Sequence, residues 1–372
     1  MQKKYTSLGL MSGTSGDGVD ASIIISNGID QYEVIKDKFF EYDSILFKEY
    51  HLLKEKIFNR LDLTKFSKEI SHLERKITLF HAKIVNDLVL SDKDILIGFH
   101  GQTIYHNSKE KLSKQLGDGK LLNQLTNKRI IFNFRKNDIL NGGEGAPLTP
   151  IFHQLILKEN KIDVPSCILN IGGISNITIV ENLDPYNFRS KDIGPGNCLI
   201  DSWVRNNSEK KFDKDGMFSS SGKKNDIILE QAQELYLNSI NKNSLSFDVN
   251  DFDVSFVRGL TLEDGAATLT DFTGRIIGAG IINFLSRENK PCTVLLSGGG
   301  RKNKSLIKII KEILNKNIIL KSIDDYGVNG DFVESQAFAY LAIRSLKNEP
   351  ISFPHTTGCS KPCSGGEIIK ST

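Results

Sequence analysis

The chain has 372 residues, with 48 lysines and arginines against 45 aspartates and glutamates. The near-cancellation of charge argues against a dedicated nucleic-acid binder, and the length favours two domains over a single core. No apolar run approaches the roughly 18 residues of a membrane span, and the basic start Met1-Gln2-Lys3-Lys4 soon meets Ser, Gly and Asp, unlike a signal peptide, so a cytoplasmic protein without a membrane partner is expected.

Residues 5–10 and 19–25 read as strands around a small-residue turn, within "GLMSGTSGDGVDAS" at 9–22. Helices are expected over 44–59 and 66–90. In the second, Ile70, Leu73, Ile77, Phe80, Ile84 and Leu88 recur at helical spacing. Short buried strands follow at 94–99, 129–132, 166–170 and 174–180, then helices at 197–205, 227–236 and 266–284. A strand at 293–296 precedes a helix at 303–314, whose Leu306, Ile309, Ile310, Ile313 and Leu314 share a face; a helix at 332–346 closes the series. Strands and helices mixed over the whole length mean an α/β class.

The stretch "LGLMSGTSGDGVDASIII" has an echo in "CILNIGGISNITIV", about 160 residues on. Both read as strand, Gly/Ser turn, strand, so a duplicated domain with a cleft between its halves is expected. Backbone N–H groups in such turns can cradle phosphate, because no Cβ blocks the approach. Ser12, Thr14 and Ser15 add hydroxyl donors, and Asp17 and Asp20 offer oxygen ligands for Mg²⁺. The bland alternative is a tight hairpin without a ligand. Further glycine clusters stand in "LLSGGGRKN" (295–303), "DIGPGN" (192–197) and "NGGEGAPLTP" (141–150); four such clusters at strand ends point to phosphate. There is no GxxxxGK[ST] and no strand–GxGxxG–helix unit, so neither a P-loop nor a dinucleotide fold is expected. Cys167, Cys198, Cys292, Cys359 and Cys363 form an odd, scattered set that suits a reducing compartment. Cys359 and Cys363 have no second pair to complete a zinc site.

Six motifs then carry a resemblance: "GLMSGTSGDGVDA", "GFHGQTIYH" (98–106), "GGEGAPLTPIFH" (142–153), "LNIGGISNIT" (169–178), "DIGPGNCLIDSW" (192–203) and "FVESQAFAYLA" (332–342). In this order, and with the closing "ISFPHTTG" (351–358), they resemble the anhydro-N-acetylmuramic acid kinase family over essentially the whole chain. The resemblance implies the two-lobed fold shared by actin and hexokinase, ATP with Mg²⁺, a homodimer and a small sugar substrate. It implies that 1,6-anhydro-N-acetylmuramic acid, ATP and water give N-acetylmuramic acid 6-phosphate and ADP in cell-wall recycling. On that basis residues 1–140 with 335–372 form one lobe and 141–334 the other. Gly13, Thr14, Ser15, Gly16, Asp17, Gly18, Val19 and Asp20 become the ATP phosphate hairpin, with Asp17 as a metal candidate. Gly172 and Gly173 face it from the second hairpin, and Gly298, Gly299 and Gly300 lie near the nucleotide.

The sequence departs from the family pattern in places. Gly16 replaces a bulkier apolar residue, Asn133 an Asp, Glu144 a Gln and Ser297 a Cys, and "NKNSLSFDVNDF" (241–252) is divergent. Asn133 and the divergent segment put details of the sugar pocket in doubt.

The chemistry of the implied substrate narrows the roles. In a 1,6-anhydro sugar O6 is an ether oxygen with no proton to remove. A carboxylate is therefore needed at the water that adds to C1, as in an inverting glycosidase. Asp192, before Ile193-Gly194-Pro195-Gly196-Asn197, is the candidate base; read without the family it is equally a helix cap or a Mg²⁺ partner. Glu334 at a helix start has a catalytic, substrate or merely N-terminal charge role. Arg135, Gln102 and Thr103 are candidates for the sugar's carboxylate and hydroxyls, with a plain salt bridge the alternative for Arg135. His100 and His106 are equally packed or surface imidazoles. The rival readings are a conventional sugar kinase and a chaperone-like ATPase, the latter lacking room for a peptide-binding segment.

Overall fold

The computed structural model describes residues 3–89, 94–239, 245–286 and 291–371. Leu90, the expected end of the second helix, and residues 241–244 of the divergent segment lie outside them. The chain divides into two compact units: residues 1–162, 183–189 and 332–372, and residues 163–182 and 190–331.

In the first unit β1 (Tyr5–Ser12) pairs antiparallel with β2 (Gly18–Ser26), and β2 with β3 (Tyr32–Glu41). On its other side β1 pairs parallel with β4 (Leu96–Asn107), which bears the side hairpin strand β5 (Leu112–Leu116) and pairs parallel with β6 (Arg129–Phe132). The main order is therefore β3-β2-β1-β4-β6, extended at one edge by the C-terminal strand Glu367–Ile369. In the second unit β7 (Ser166–Ile171) pairs antiparallel with β8 (Ile174–Val180), β9 (Phe188–Pro195) lies at the edge, and β10 (Cys292–Ser297) and β11 (Ile318–Ser322) follow in parallel. The order β9-β8-β7-β10-β11 repeats that of the first unit strand for strand. The duplication expected from the two hairpins is thus present in the sheet topology, and the α/β class holds.

Each sheet is covered by helices whose apolar face repeats at helical spacing. The helix Ser67–Leu88 buries Ile70, Leu73, Ile77 and Ile84 on the first sheet's core, with Leu8, Leu10 and Ile97 of β1 and β4. The helix Lys304–Ile313 buries Leu306 and Ile310 on the second, beside Leu169, Ile171, Val294 and Leu296. The helix expected at 44–59 stops at Lys54, because Asn59 instead caps a separate short helix, Arg60–Lys65, through a capping box with Asp62.

Residues 141–162, assigned from the sequence to the second lobe, pack with the first unit. The helix Pro150–Glu159 is buried almost throughout, and its Phe152 meets the rings of Tyr32 and Tyr340. Among the described residues no helix is long and apolar enough to cross a membrane.

Candidate active site

In the first unit, residues 13–17 join β1 to β2. The turn is held through its carbonyls. Gln102 Nε2 donates to the Gly13 carbonyl at 2.7 Å, and the Gly16 N–H reaches the same oxygen at 3.1 Å. His51 Nε2 donates to the Ser15 carbonyl at 3.0 Å, and the Tyr42 N–H to that of Asp17 at 2.9 Å. Ser15 Oγ donates to Asp17 Oδ1 at 2.6 Å. The N–H groups of Thr14 and Ser15 have no acceptor among the described residues. Carbonyls turned into the protein and N–H groups left over are what an anion-binding turn requires.

Two glycines here have opposite reasons. Gly16 has φ +62°, and a Cβ there would overlap the Tyr50 ring, so packing alone demands glycine. That accounts for the missing bulkier residue at position 16. A Cβ at Gly13 would meet only Ser15 Oγ, at 3.6 Å, an ordinary contact. The protein's own packing does not need glycine at 13.

Ser12, at the end of β1, points inward instead. Its hydroxyl bonds Tyr42 OH at 3.1 Å and His81 Nε2 at 3.3 Å, so it is a packing residue and not a donor to the turn's ligand. Burial pushes His81 down to about 4, which keeps it neutral; with Nδ1–H on the Ile77 carbonyl at 2.8 Å, its Nε2 accepts from Ser12.

The motif "GFHGQTIYH" runs along β4 rather than ending at Phe99. A register shift opposite Leu10 and Met11, with φ +78° at Gly101, re-aims the strand. Gln102 is fully buried, and its Oε1 has no hydrogen-bond partner among the described residues. Thr103 is buried too; its carbonyl accepts from Tyr50 OH at 2.9 Å and its Oγ1 from Gln115 at 3.3 Å.

His100 and His106 are both packed. Burial, reinforced by the Arg135 charge, holds His100 well below its ordinary value, and the same causes push His106 down to about 3. His100 Nδ1–H donates to the Gly101 carbonyl at 2.8 Å, which leaves Nε2 to accept from Arg135 Nη2 at 3.1 Å and Nε at 3.3 Å. Arg135 Nη1 reaches the Gly145 carbonyl at 3.0 Å. In these contacts the guanidinium rests on neutral acceptors. Asn133, two residues earlier, sits at φ +54°, a conformation asparagine tolerates. Glu334 lies in the first turn of the helix Val333–Leu346.

The cluster at 141–150 is corrected. It follows the short helix Lys136–Leu140, not a strand, and it wraps Asp138, a buried carboxylate that no sequence pattern marks. Asp138 Oδ2 accepts from the Gly145 N–H at 2.7 Å and Oδ1 from Thr357 Oγ1 at 2.6 Å. Gly143 presses on this carboxylate and Gly145 donates to it, so these two glycines serve the protein's own packing.

In the second unit Gly172 and Gly173 alone separate β7 from β8. Like Gly13, Gly172 is open: a Cβ would lie 3.5 Å from the Ile174 carbonyl and 3.7 Å from Asn170 Nδ2. The cluster "DIGPGN" clasps this turn. The Asn197 N–H donates to the Gly172 carbonyl at 2.7 Å, and those of Gly196 and Cys198 to the Gly173 carbonyl at 2.8 and 3.2 Å. These N–H groups are therefore spent on the hairpin and do not form a separate anion site. In the third cluster, Gly298 (φ +77°) and Gly300 press on Asn170 and Ile171, whereas a Cβ at Gly299 would have its nearest neighbour at 3.9 Å.

Asp192 stands within β9 rather than at the turn that follows, and it is 6% exposed. Its N–H donates to the Leu245 carbonyl at 2.9 Å, and its Oδ2 accepts from the Phe247 N–H at 2.8 Å. The divergent segment thus supplies the backbone contacts that orient this carboxylate.

The sequence profile described as Anhydro-N-acetylmuramic acid kinase matches residues 5–371. A protein of that name from Pelagibacter ubique (strain HTCC1062) is 55% identical, with all of both chains covered. Another of that name, from Zymomonas mobilis, is 36% identical over 97% of this chain and 98% of its own. Among solved structures, the activator of 2-hydroxyisocaproyl-CoA dehydratase from Clostridium difficile with bound ADPNP aligns over 92% of this chain and 96% of its own, at 13% identity and a TM-score of 0.40. The match over nearly the full length, together with this level of identity, shows that the chain belongs to the anhydro-N-acetylmuramic acid kinase family.

Proposed function

We propose that the chain is an ATP-dependent kinase that hydrolytically opens 1,6-anhydro-N-acetylmuramic acid and phosphorylates its O6, in peptidoglycan recycling. The carrying observation is the pair of hairpin turns, at 13–17 and 172–173, each with a glycine whose missing side chain serves no packing need of the protein. Such turns suit the phosphates of ATP. Asp17 and Asp20 are the hairpin's carboxylates, and no cluster of three or more His, Cys, Asp or Glu that could hold a metal occurs among the described residues. That donor set fits Mg²⁺, which keeps waters and substrate phosphates among its ligands. When bound, the ion neutralises phosphate charge.

Asp192 accepts a proton from water as the water oxygen adds to C1 and the C1–O6 bond breaks. The O6 electron pair then attacks the γ-phosphorus, and ADP leaves. One carboxylate suffices because the arriving phosphoryl group takes the place of a glycosidase's acid. Burial of Asp192 and its bond from the Phe247 N–H hold the carboxylate in one orientation for this task. Arg135, held by His100 and Gly145, presents its guanidinium to the lactyl carboxylate; Gln102, Thr103 and Glu334 complete the sugar contacts. The enzyme works as a homodimer in the cytoplasm. The test is the product formed from the anhydro sugar and ATP: N-acetylmuramic acid 6-phosphate and ADP in equal amounts are expected. ADP without a phosphorylated sugar, or phosphorylation of an intact anhydro ring, overturns the reading.

A further inference from the structure

We propose that Arg301 is a positioning residue for the nucleotide turn at 298–300, fixing that turn before ATP arrives; this rests on the reading that the turn contacts the nucleotide. Its side chain is 8% exposed, while that of its neighbour Lys302 is 50% exposed. Arg301 Nε and Nη2 fork onto the two oxygens of Asp324, at 2.7 and 3.0 Å. Nη1 donates to the Gly298 carbonyl at 2.9 Å and to Asp331 Oδ1, whose other oxygen takes Lys302 Nζ.

The backbone closes the same knot. The Gly298 N–H donates to the Gly330 carbonyl at 2.8 Å, and the Gly330 N–H to Asp324 Oδ1 at 3.1 Å. A Cβ at residue 330 would stand 2.7–2.8 Å from Arg301 Nε and Cζ, so that residue lies flat on the guanidinium. Two cations meet two carboxylates, so the cluster is neutral as a whole. The Arg301 hydrogen bond is the chief cause holding the Asp324 carboxyl well below the usual range.

The knot grips the turn itself. Gly298 is where the chain leaves β10 in a left-handed conformation, and Arg301 bonds its carbonyl while the main chain bonds its N–H. A planar fork does this where a lysine's point charge cannot. A turn already in place avoids an ordering cost on binding. Arg301 touches no reacting atom in this scheme; it acts through Gly298 and Gly299.

The test compares Arg301→Ala, Arg301→Lys and Asp324→Asn with the parent enzyme, well below each variant's melting temperature. KM for ATP should rise about tenfold in Arg301→Ala, with KM for the anhydro sugar changed less than about twofold. Arg301→Lys should fall between, and millimolar guanidinium should restore part of the ATP affinity of Arg301→Ala. Asp324→Asn, altered at an exposed carboxylate, should shift in the same direction and serves if Arg301→Ala does not fold. Gly299→Val separates the two layers, because its Cα is open. Unchanged ATP binding in Gly299→Val overturns the reading of the turn and the proposal with it. Weakened binding there, with both KM values unchanged or equally shifted in Arg301→Ala and Asp324→Asn, overturns the role of Arg301 alone.

Discussion

Gln102 donates its amide to the carbonyl of Gly13 at 2.7 Å, across 89 positions of sequence. This bond fixes both partners. It points the Gly13 carbonyl at the Gln102 amide, and it fixes which end of the amide is which, leaving the buried Oε1 as an acceptor only. Replacing Gln102 by Leu should remove the tie at similar size. We expect a loss of about 1 kcal/mol of stability, as the Gly13 carbonyl keeps only the Gly16 N–H of its two donors, and a rise in KM for ATP. Unchanged thermal stability and ATP affinity would mean that the bond carries nothing.

Gly13 and Gly16 should respond in opposite ways. Gly13→Val places a side chain in space the protein leaves open, so the melting temperature should hold while ATP binding falls sharply. Gly16→Ala forces a Cβ against Tyr50 at positive φ, so the fold should lose about 1–3 kcal/mol. Thermal melting and calorimetric titration with ATP separate the two. Normal ATP affinity in a folded Gly13→Val enzyme would count against the hairpin as the phosphate site.

Asp192→Asn should fold, since an amide oxygen can still accept from the Phe247 N–H. It cannot take a proton from water. Ring opening and phosphoryl transfer are linked through O6, so both should fall together by about 10²–10⁴-fold. Reaction in ¹⁸O-water, read before exchange through the open-chain aldehyde, should place label at the anomeric oxygen in the parent enzyme. Near-normal turnover in the variant would make Asp192 structural and return Asp17 or Glu334 to consideration as the base.

Stability should fall in mild acid. His81, His106 and His153 are held at about 4, about 3 and about 3 by burial, and His100 well below its ordinary value of 6.5. Below pH 6.5 the unfolded chain binds protons at these four positions and the folded chain does not. Their neutral burial is thus fully compatible with folding above pH 6.5, and stability declines as pH falls from there toward 4. His153→Gln should flatten this slope by about 1 kcal/mol per pH unit between pH 5.5 and 4.5. An unaltered slope would show that His153 titrates normally in the fold.

The elements legible in the sequence are those whose pattern is local. The first hairpin was marked by its small residues between apolar runs, and the helix Lys304–Ile313 by the spacing of Leu306 and Ile310. β3 was missed because an edge strand with most residues exposed, among them Val34, Ile35 and Phe39, has no clean alternation. β9 was missed because "FRSKDIGP" mixes charges with Gly and Pro, and its partners come from β8 and from Leu245. Pro150–Glu159 is apolar around most of its circumference, so periodicity gives no signal. The hairpin glycines, Asp192 and Gln102 stood out by residue type. Their supports did not: Tyr50, His51 and His81 reach their partners from elements distant in the chain, and a single sequence carries no trace of such pairings.

The two halves repeat one topology, yet their turns are secured by different means. The carbonyl of Gly13 takes the side chain of Gln102 besides the Gly16 N–H of its own turn, whereas that of Gly172 takes the main-chain N–H of Asn197. A single codon change at position 102 can loosen the first turn by degrees, through residues of graded size and polarity. At position 197 only proline deletes the N–H, an all-or-nothing change. Heritable variation in how firmly a turn is held therefore has a ready handle in one unit, while the other is left almost without one.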